Sequence, residues 1–238
     1  MLMSPESTRV ILVTGAAGNL GSATLRCLAR EEAVLVAADR TSDSASLLPE
    51  GLDPAAHLAL PGLDLLDAAS CEAGIAQVIA RFGRLDGVAH TVGGFAMHPL
   101  AEAGPAEWEA MFRLNLVSTL NIFRPAIAAM RRAGRGSLCA VGALAARQAP
   151  AGMGAYAAAK GAVLRLVESY AEELHGSGLR VNAVLPGTMD TPQNRAAMPG
   201  ADPGGWVRPE AVGQLIAFLL SDAAGAVTGA LVPAAGQG

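Results

Sequence analysis

The chain is poor in charge, in aromatics and in cysteine. Charged residues fill 16% of its 238 positions and aromatics 4%; 17 Lys+Arg against 21 Asp+Glu leave a net charge of −4, and the cations form no dense block. Nucleic-acid backbones are held by clustered cations, so no nucleic-acid partner is expected. Apolar runs are broken by Gly, Pro, Arg or Asp well before the ~18–20 residues a membrane helix requires, so no membrane span is expected either. Residues 1–9 are polar and lack the basic-then-apolar order of a secretory signal, which points to a cytoplasmic protein. Cys27, Cys71 and Cys139 are odd in number, have no C-x-x-C spacing and sit in apolar segments, as buried thiols do. His57, His90, His98 and His175 are scattered without metal-ligand spacing, and no metal site is expected.

What the chain has is hydrophobicity, 52% of residues, in a regular order. Short β-branched-rich runs at 10–13, 33–38, 57–60, 85–89, 136–141, 180–185 and 230–233 read as strands buried on both faces. Between them, stretches at 20–30, 68–82, 105–132, 153–174 and 209–220 place apolar residues at i, i+3, i+4, the mark of amphipathic helices. This alternation predicts an α/β fold with a parallel sheet and helices on both faces. No linker or repeat divides it: residues 1–8 form a tail and residues 9–238 one domain. Residues 188–208 carry Pro192, Pro199, Pro203, Gly200, Gly204 and Gly205, and are expected to be an irregular substrate loop.

The first strand runs into Gly15-Ala16-Ala17-Gly18-Asn19-Leu20-Gly21 and a helix follows at once. Glycines let a backbone approach a pyrophosphate, and the free N–H groups of a helix start point at the anion. Asp39 ends the second strand 18 residues beyond Gly21, the position of a carboxylate that accepts from both ribose hydroxyls, which favours NAD(H). Arg40 keeps NADP(H) open, since its guanidinium either recruits a 2′-phosphate or pairs with Asp39. Further on, Tyr156 and Lys160 stand four apart on one helix face, where a nearby ammonium would favour the phenolate.

Taken with Asp64-Leu65, Asn115 and Pro186-Gly187, these motifs resemble the short-chain dehydrogenase/reductase family from Arg9 to the end of the chain. The resemblance implies a single-domain Rossmann fold with a seven-stranded sheet. It also implies Tyr156 as proton donor, Lys160 on the nicotinamide ribose and Asn115 holding a water in a relay to Lys160. The implied cofactor contacts are Gly15, Ala17, Gly18, Asn19, Leu20, Gly21, Asp39, Arg40, Asp64, Leu65, Gly93, Tyr156, Lys160, Pro186, Gly187, Thr188 and Thr191, with Thr191 beside the carboxamide. The resemblance also implies a homodimer or homotetramer joined through the long helices over 105–132 and 153–174, although their Ala-rich faces suit close packing inside a monomer equally well.

Two departures stand out. The family's catalytic Ser usually lies thirteen residues before the Tyr, and here that position is Ala143. Thr91-Val92-Gly93, preceded by His90, replaces the usual Asn-Ala-Gly; His90 is then either a core histidine or a cofactor contact. The dihydropteridine reductases, a branch with Ala in place of Ser, are similar to 142–146, to 159–163 and to the stretch from Asp190-Thr191-Pro192-Gln193-Asn194-Arg195 to Trp206. This branch implies an NAD(P)H-dependent reductase of a flat conjugated acceptor such as a quinonoid dihydropterin. Its pocket would include Ala143 and be walled by Phe95, Met198 and Trp206, with Met153 and Met189 near. Two alternatives stay open. One is a carbonyl or alcohol oxidoreductase in which Thr188 or a water replaces the Ser, and the other is a scaffold that binds NAD(H) without turnover.

Overall fold

The computed structural model describes residues 8–31, 33–44 and 46–236, so the expected tail lies almost wholly outside it. Seven strands form one parallel sheet: β1 (Val10–Thr14), β2 (Val34–Asp39), β3 (Leu58–Pro61), β4 (Gly87–His90), β5 (Gly136–Val141), β6 (Leu179–Pro186) and β7 (Leu231–Ala234). Their order is β3-β2-β1-β4-β5-β6-β7. Because β2 and β3 lie to one side of β1 and β4 onwards to the other, the order reverses between β1 and β4. That crevice, at the carboxyl ends of the strands, is where open α/β sheets bind ligands.

Alternation along each strand feeds two cores. Val10 and Leu12 of β1, with Val36 and Ala38 of β2, face α2 (Ala68–Phe82), α4 (Ser118–Ala133) and α6 (Gly154–Glu173), through Ile75, Val78, Ile122, Phe123, Val163 and Val167. Ile11, Val13, Leu35 and Ala37 face the other way, toward α1 (Asn19–Ala29) and α8 (Pro209–Leu220), through Leu25, Leu28, Val212 and Ile216. Burial on both faces is why the strands read as continuous apolar runs, and it accounts for the expected α/β architecture.

Two expectations need correction. The single helix over 105–132 is three pieces: α3 (Pro105–Phe112), a π-helical turn (Arg113–Val117) and α4. A π turn bonds i to i+5, as Ser118 N does to Arg113 O, and two hydroxyls bond back into it: Ser118 Oγ donates to the Leu114 carbonyl at 2.6 Å and Thr119 Oγ1 to that of Asn115 at 2.7 Å. The loop 188–208 is also less irregular than its Pro and Gly content suggests. Thr191 caps α7 (Pro192–Ala197), accepting from Asn194 N, and a 3₁₀ turn follows at Pro203–Gly205. Proline suits a first helical turn, so Pro192 and Pro203 start structure here instead of breaking it. A further short helix, α5 (Ala145–Gln148), follows β5.

The three cysteines are buried free thiols. Among the described residues no three His, Cys, Asp or Glu gather as a metal site, and no helix is long and apolar enough to cross a membrane.

Candidate active site

The site grows from the carboxyl ends of six strands, β1 to β6. After β1, Gly15 adopts φ +72°, where a side chain would be strained, and a Cβ there would stand 2.9 Å from the Val92 side chain. Gly21, on the first turn of α1, sits directly over Gly15: an added Cβ would fall 1.9 Å from the Gly15 carbonyl oxygen. Only glycines at both positions let helix and turn close together. Gly18, extended, precedes the helix, and Ser22 N makes the first intrahelical bond, to Gly18 O. The N–H groups of Asn19, Leu20 and Gly21 are thus left at the open helix start, with Ala17, Gly18 and Asn19 exposed. This cradle fits the pyrophosphate of a dinucleotide, as does its lack of side chains.

Asp39 leans over the same turn. Its Oδ2 accepts from Ala17 N and its Oδ1 from Thr41 N, both at 3.1 Å. The pairing of Asp39 with Arg40 is not formed: Arg40 is exposed and makes no ion pair among the described residues, and the carboxylate bonds the turn instead. Asp64, exposed after β3, accepts from Leu66 N at 2.9 Å in a local turn; the cap of α2 is Asp67. Leu65 is buried, and its carbonyl accepts from Asn121 at 2.9 Å.

After β4 the chain passes through Thr91-Val92-Gly93-Gly94. Thr91, at the place of the family's usual Asn, takes a structural part: its hydroxyl donates to the Thr14 carbonyl at 2.7 Å, tying β4 to the glycine turn. His90 is fully buried between Thr14 and Ser118, so the core reading of this residue holds. Gly93 is where the centre converges. A Cβ on it would stand 2.8 Å from both Asn115 Oδ1 and Lys160 Nζ, so the glycine is what lets these two side chains meet the backbone. Asn115, buried in the π turn, grips Gly94 from both sides: its Oδ1 accepts from Gly94 N at 3.2 Å and its Nδ2 donates to Gly94 O at 3.1 Å and to Met111 O at 2.9 Å.

Tyr156 and Lys160 rise from the first turns of α6. Lys160 is buried and its ammonium donates to the Val141 carbonyl at 2.7 Å, at the end of β5. Burial draws its pKa down to about 8. The expected pull of this ammonium on the phenol is not what dominates: burial pushes Tyr156 up to about 12, so the phenol keeps its proton at neutral pH. Phe95 meets Tyr156 edge to face, ring centroids 5.0 Å apart, while remaining 55% exposed. Ala143 is buried just beyond β5, presenting a methyl group.

Of the remaining expected contacts, Pro186 and Gly187 close β6 against 144 and 234: Leu144 N donates to Pro186 O and Gly187 N to Ala234 O. Thr188 is exposed, and Thr191 is buried with its hydroxyl turned to the α7 cap. Met198 is exposed and Trp206 half-buried; neither joins Ala96, Trp108 and Phe112 in the apolar cluster around Tyr156. Two features escaped the reading of the residues. Lys160 is the only lysine in the sequence, all other cations being arginine, a signal that an ammonium and no guanidinium serves there. Asn19 of the cradle also donates to Gln193 at 2.8 Å, which ties α7 to the glycine turn across 174 positions of sequence.

The model of the family described as short chain dehydrogenase matches residues 9–201. Cis-4-hydroxycyclohexanecarboxylate dehydrogenase of Sinomonas cyclohexanicum is 36% identical over 234 residues, 94% of each chain. D-threitol dehydrogenase of Mycolicibacterium smegmatis is 30% identical, over 93% of this chain and 89% of that one. Among solved structures, levodione reductase superposes with a TM-score of 0.86 at 28% identity, covering 96% of both chains.

Proposed function

We propose that this chain, which belongs to the short-chain dehydrogenase/reductase family, uses NADH to reduce a flat conjugated acceptor of the quinonoid dihydropterin type. Its kin make it an NAD(P)-dependent oxidoreductase; the acceptor, the choice of NADH and the roles below are our reading.

The observation that carries the reading is Ala143. A ketone concentrates negative charge on one oxygen as it is reduced, and losing one preorganised donor at that oxygen costs ~10²–10³ in rate. A conjugated quinonoid ring spreads the charge over several nitrogens, so a methyl at 143 costs it little. The bound nicotinamide cofactor supplies the hydride. Asp39 accepts from the adenosine ribose hydroxyls and repels a 2′-phosphate, which favours NAD(H), and Asp64 and Leu65 lie beside the adenine. Thr188 and Thr191, with Pro186 and Gly187, border the nicotinamide. Lys160 holds the nicotinamide ribose, and Asn115 keeps Gly93 and Gly94 clear of it. Tyr156, held protonated by its apolar surroundings, gives its proton to the reduced ring, and Phe95 offers that ring an apolar face. Met198 and Trp206 line the pocket from the 188–208 segment. The assembly is a homodimer or homotetramer.

A carbonyl or alcohol oxidoreductase is the second reading, favoured by the ring alcohol in the name of the Sinomonas relative. It requires exposed Thr188 or a water to serve in place of the Ser. A scaffold without turnover is disfavoured because mere binding does not need Asn115, Tyr156 and Lys160 together. Tyr156→Phe tests the reading: a positioned general acid contributes ~10²–10⁴-fold, so kcat with quinonoid dihydrobiopterin should drop by that order while NADH affinity stays. Retention of the wild-type rate would remove the proton donor.

A further inference from the structure

We propose that His90 is a positioning residue: its ring, protonated on Nε2, carries one unidirectional hydrogen-bond chain from Thr14, beside the glycine turn, to Ser118, beyond the π turn, and thereby holds Asn115 and Gly94 in register.

A neutral imidazole has one donor and one acceptor nitrogen, and a ring as buried as that of His90 must satisfy both. Its partners are two hydroxyls: Thr14 Oγ1 lies 2.9 Å from Nδ1 and Ser118 Oγ 3.3 Å from Nε2. The serine decides the direction. Ser118 has one hydroxyl hydrogen and two carbonyls in reach, Leu114 O at 2.6 Å and Asn115 O at 3.4 Å. The shorter contact takes the hydrogen, so toward His90 the serine oxygen is an acceptor and Nε2 carries the proton. Nδ1 then has a free lone pair, and Thr14 must donate to it. The chain runs Thr14 O–H to Nδ1, Nε2–H to Ser118, and Ser118 O–H to Leu114 O, each link polarising the next.

The surroundings fix this state. Burial and the nearby Lys160 ammonium both oppose a second proton on the ring. Phe123 stands against it at 72°, ring centroids 6.1 Å apart, which limits its rotation. The end of the chain matters because Leu114 O is a carbonyl of the π turn that presents Asn115 to Gly94. A ring in the other tautomer would set two acceptors against each other at Ser118, the bare Nε2 and the serine oxygen, and the hydroxyl would leave Leu114 to donate to the ring. The catalytic consequence rests on the proposed role of Asn115 and Lys160; the tautomer does not.

The test uses the full chain labelled with ¹⁵N-histidine, whose four histidines give separable long-range ¹⁵N–¹H patterns, with His90→Asn assigning the one that matters. The wild type should show His90 at pH 7 as neutral Nε2–H. In Ser118→Ala, where Nε2–H loses its acceptor, the proton should move to Nδ1. In the same variant kcat with quinonoid dihydrobiopterin should fall about tenfold with the NADH Kd unchanged within about twofold, as a slightly displaced centre behaves. Thr14→Ser, which keeps the hydroxyl, should retain both tautomer and rate. A wild-type His90 that is Nδ1–H or doubly protonated overturns the proposal, as does an unaltered kcat in Ser118→Ala. If the wild type does not turn over this acceptor, the substrate reading fails alone, and the tautomer still decides the role of His90.

Discussion

The carboxamide of Asn115 exchanges two hydrogen bonds with the backbone of one residue, Gly94, accepting at 3.2 Å and donating at 3.1 Å. A side chain that mimics a strand edge in this way fixes the path of the segment crossing the site. Asn115→Leu takes a hydrogen-bond partner from the half-buried N–H and C=O of Gly94 and from the Met111 carbonyl, at about 0.5–1.5 kcal/mol for each bond lost. Urea unfolding should show a loss of that order, and kcat should fall more than NADH affinity. Wild-type stability in Asn115→Leu would mean the clamp is idle.

Gly21 and Gly15 set the second prediction. Because a Cβ on Gly21 would lie 1.9 Å from the Gly15 carbonyl, Gly21→Ala must push α1 off the turn. Overpacking of a fixed backbone costs about 1–3 kcal/mol, and the open N–H groups lose their aim. The melting temperature should fall, and the stabilisation that saturating NADH gives the wild type should vanish in the same thermal scan.

Asp39 accepts from Ala17 and Thr41 beside the cradle, and the proposed preference for NAD(H) rests on its carboxylate. Asp39→Ala should weaken NADH binding and strengthen NADPH binding, shifting their Kd ratio by tenfold or more, equivalent to about 1.4 kcal/mol. Titration of protein fluorescence with each dinucleotide measures it. An unchanged ratio would detach Asp39 from the ribose.

Lys160 gives a pH prediction whose sign is fixed by burial. Its pKa falls from 10.5 to about 8 on folding, so between these values the unfolded chain holds the extra proton and stability from this group rises with pH. Below pH 8 both states are charged and the cost of burying the ammonium is fully present; above 10.5 neither is. In Lys160→Met that rise is missing, so the stability of the variant relative to wild type should decline from pH 8 to pH 10. Comparing the two proteins cancels the opposite trends of Tyr156 and of Cys71, which burial raises to about 11.

Much of this was readable from the residues, for reasons that differ by position. The strands announced themselves because both faces are buried, so Val10–Thr14 and Val34–Asp39 are nearly unbroken apolar runs. Gly15, Gly21, Asp39, Tyr156 and Lys160 stand at fixed distances along single elements, and local geometry brings them to the site. The π turn was not readable, since its apolar spacing continues that of the flanking helices; only the hydroxyls of Ser118 and Thr119 hint at it. α7 hid behind its Pro and Gly neighbours although Thr191-Pro192 is a helix start. The protonation of Tyr156 has no local signature, because burial, a property of the assembled fold, outweighs the ammonium four residues away. The links Asn19–Gln193 and Thr14–His90–Ser118 join distant segments and have no local signature.

The measurement that bears most directly on the account is NADH oxidation by wild type and Ala143→Ser, each offered quinonoid dihydrobiopterin and a simple ring ketone. Turnover of the pterin is expected at rates equal within about threefold in both proteins, with the ketone reduced only slowly until the serine raises its rate by ~10². Rapid ketone reduction by the wild type without pterin turnover would contradict it.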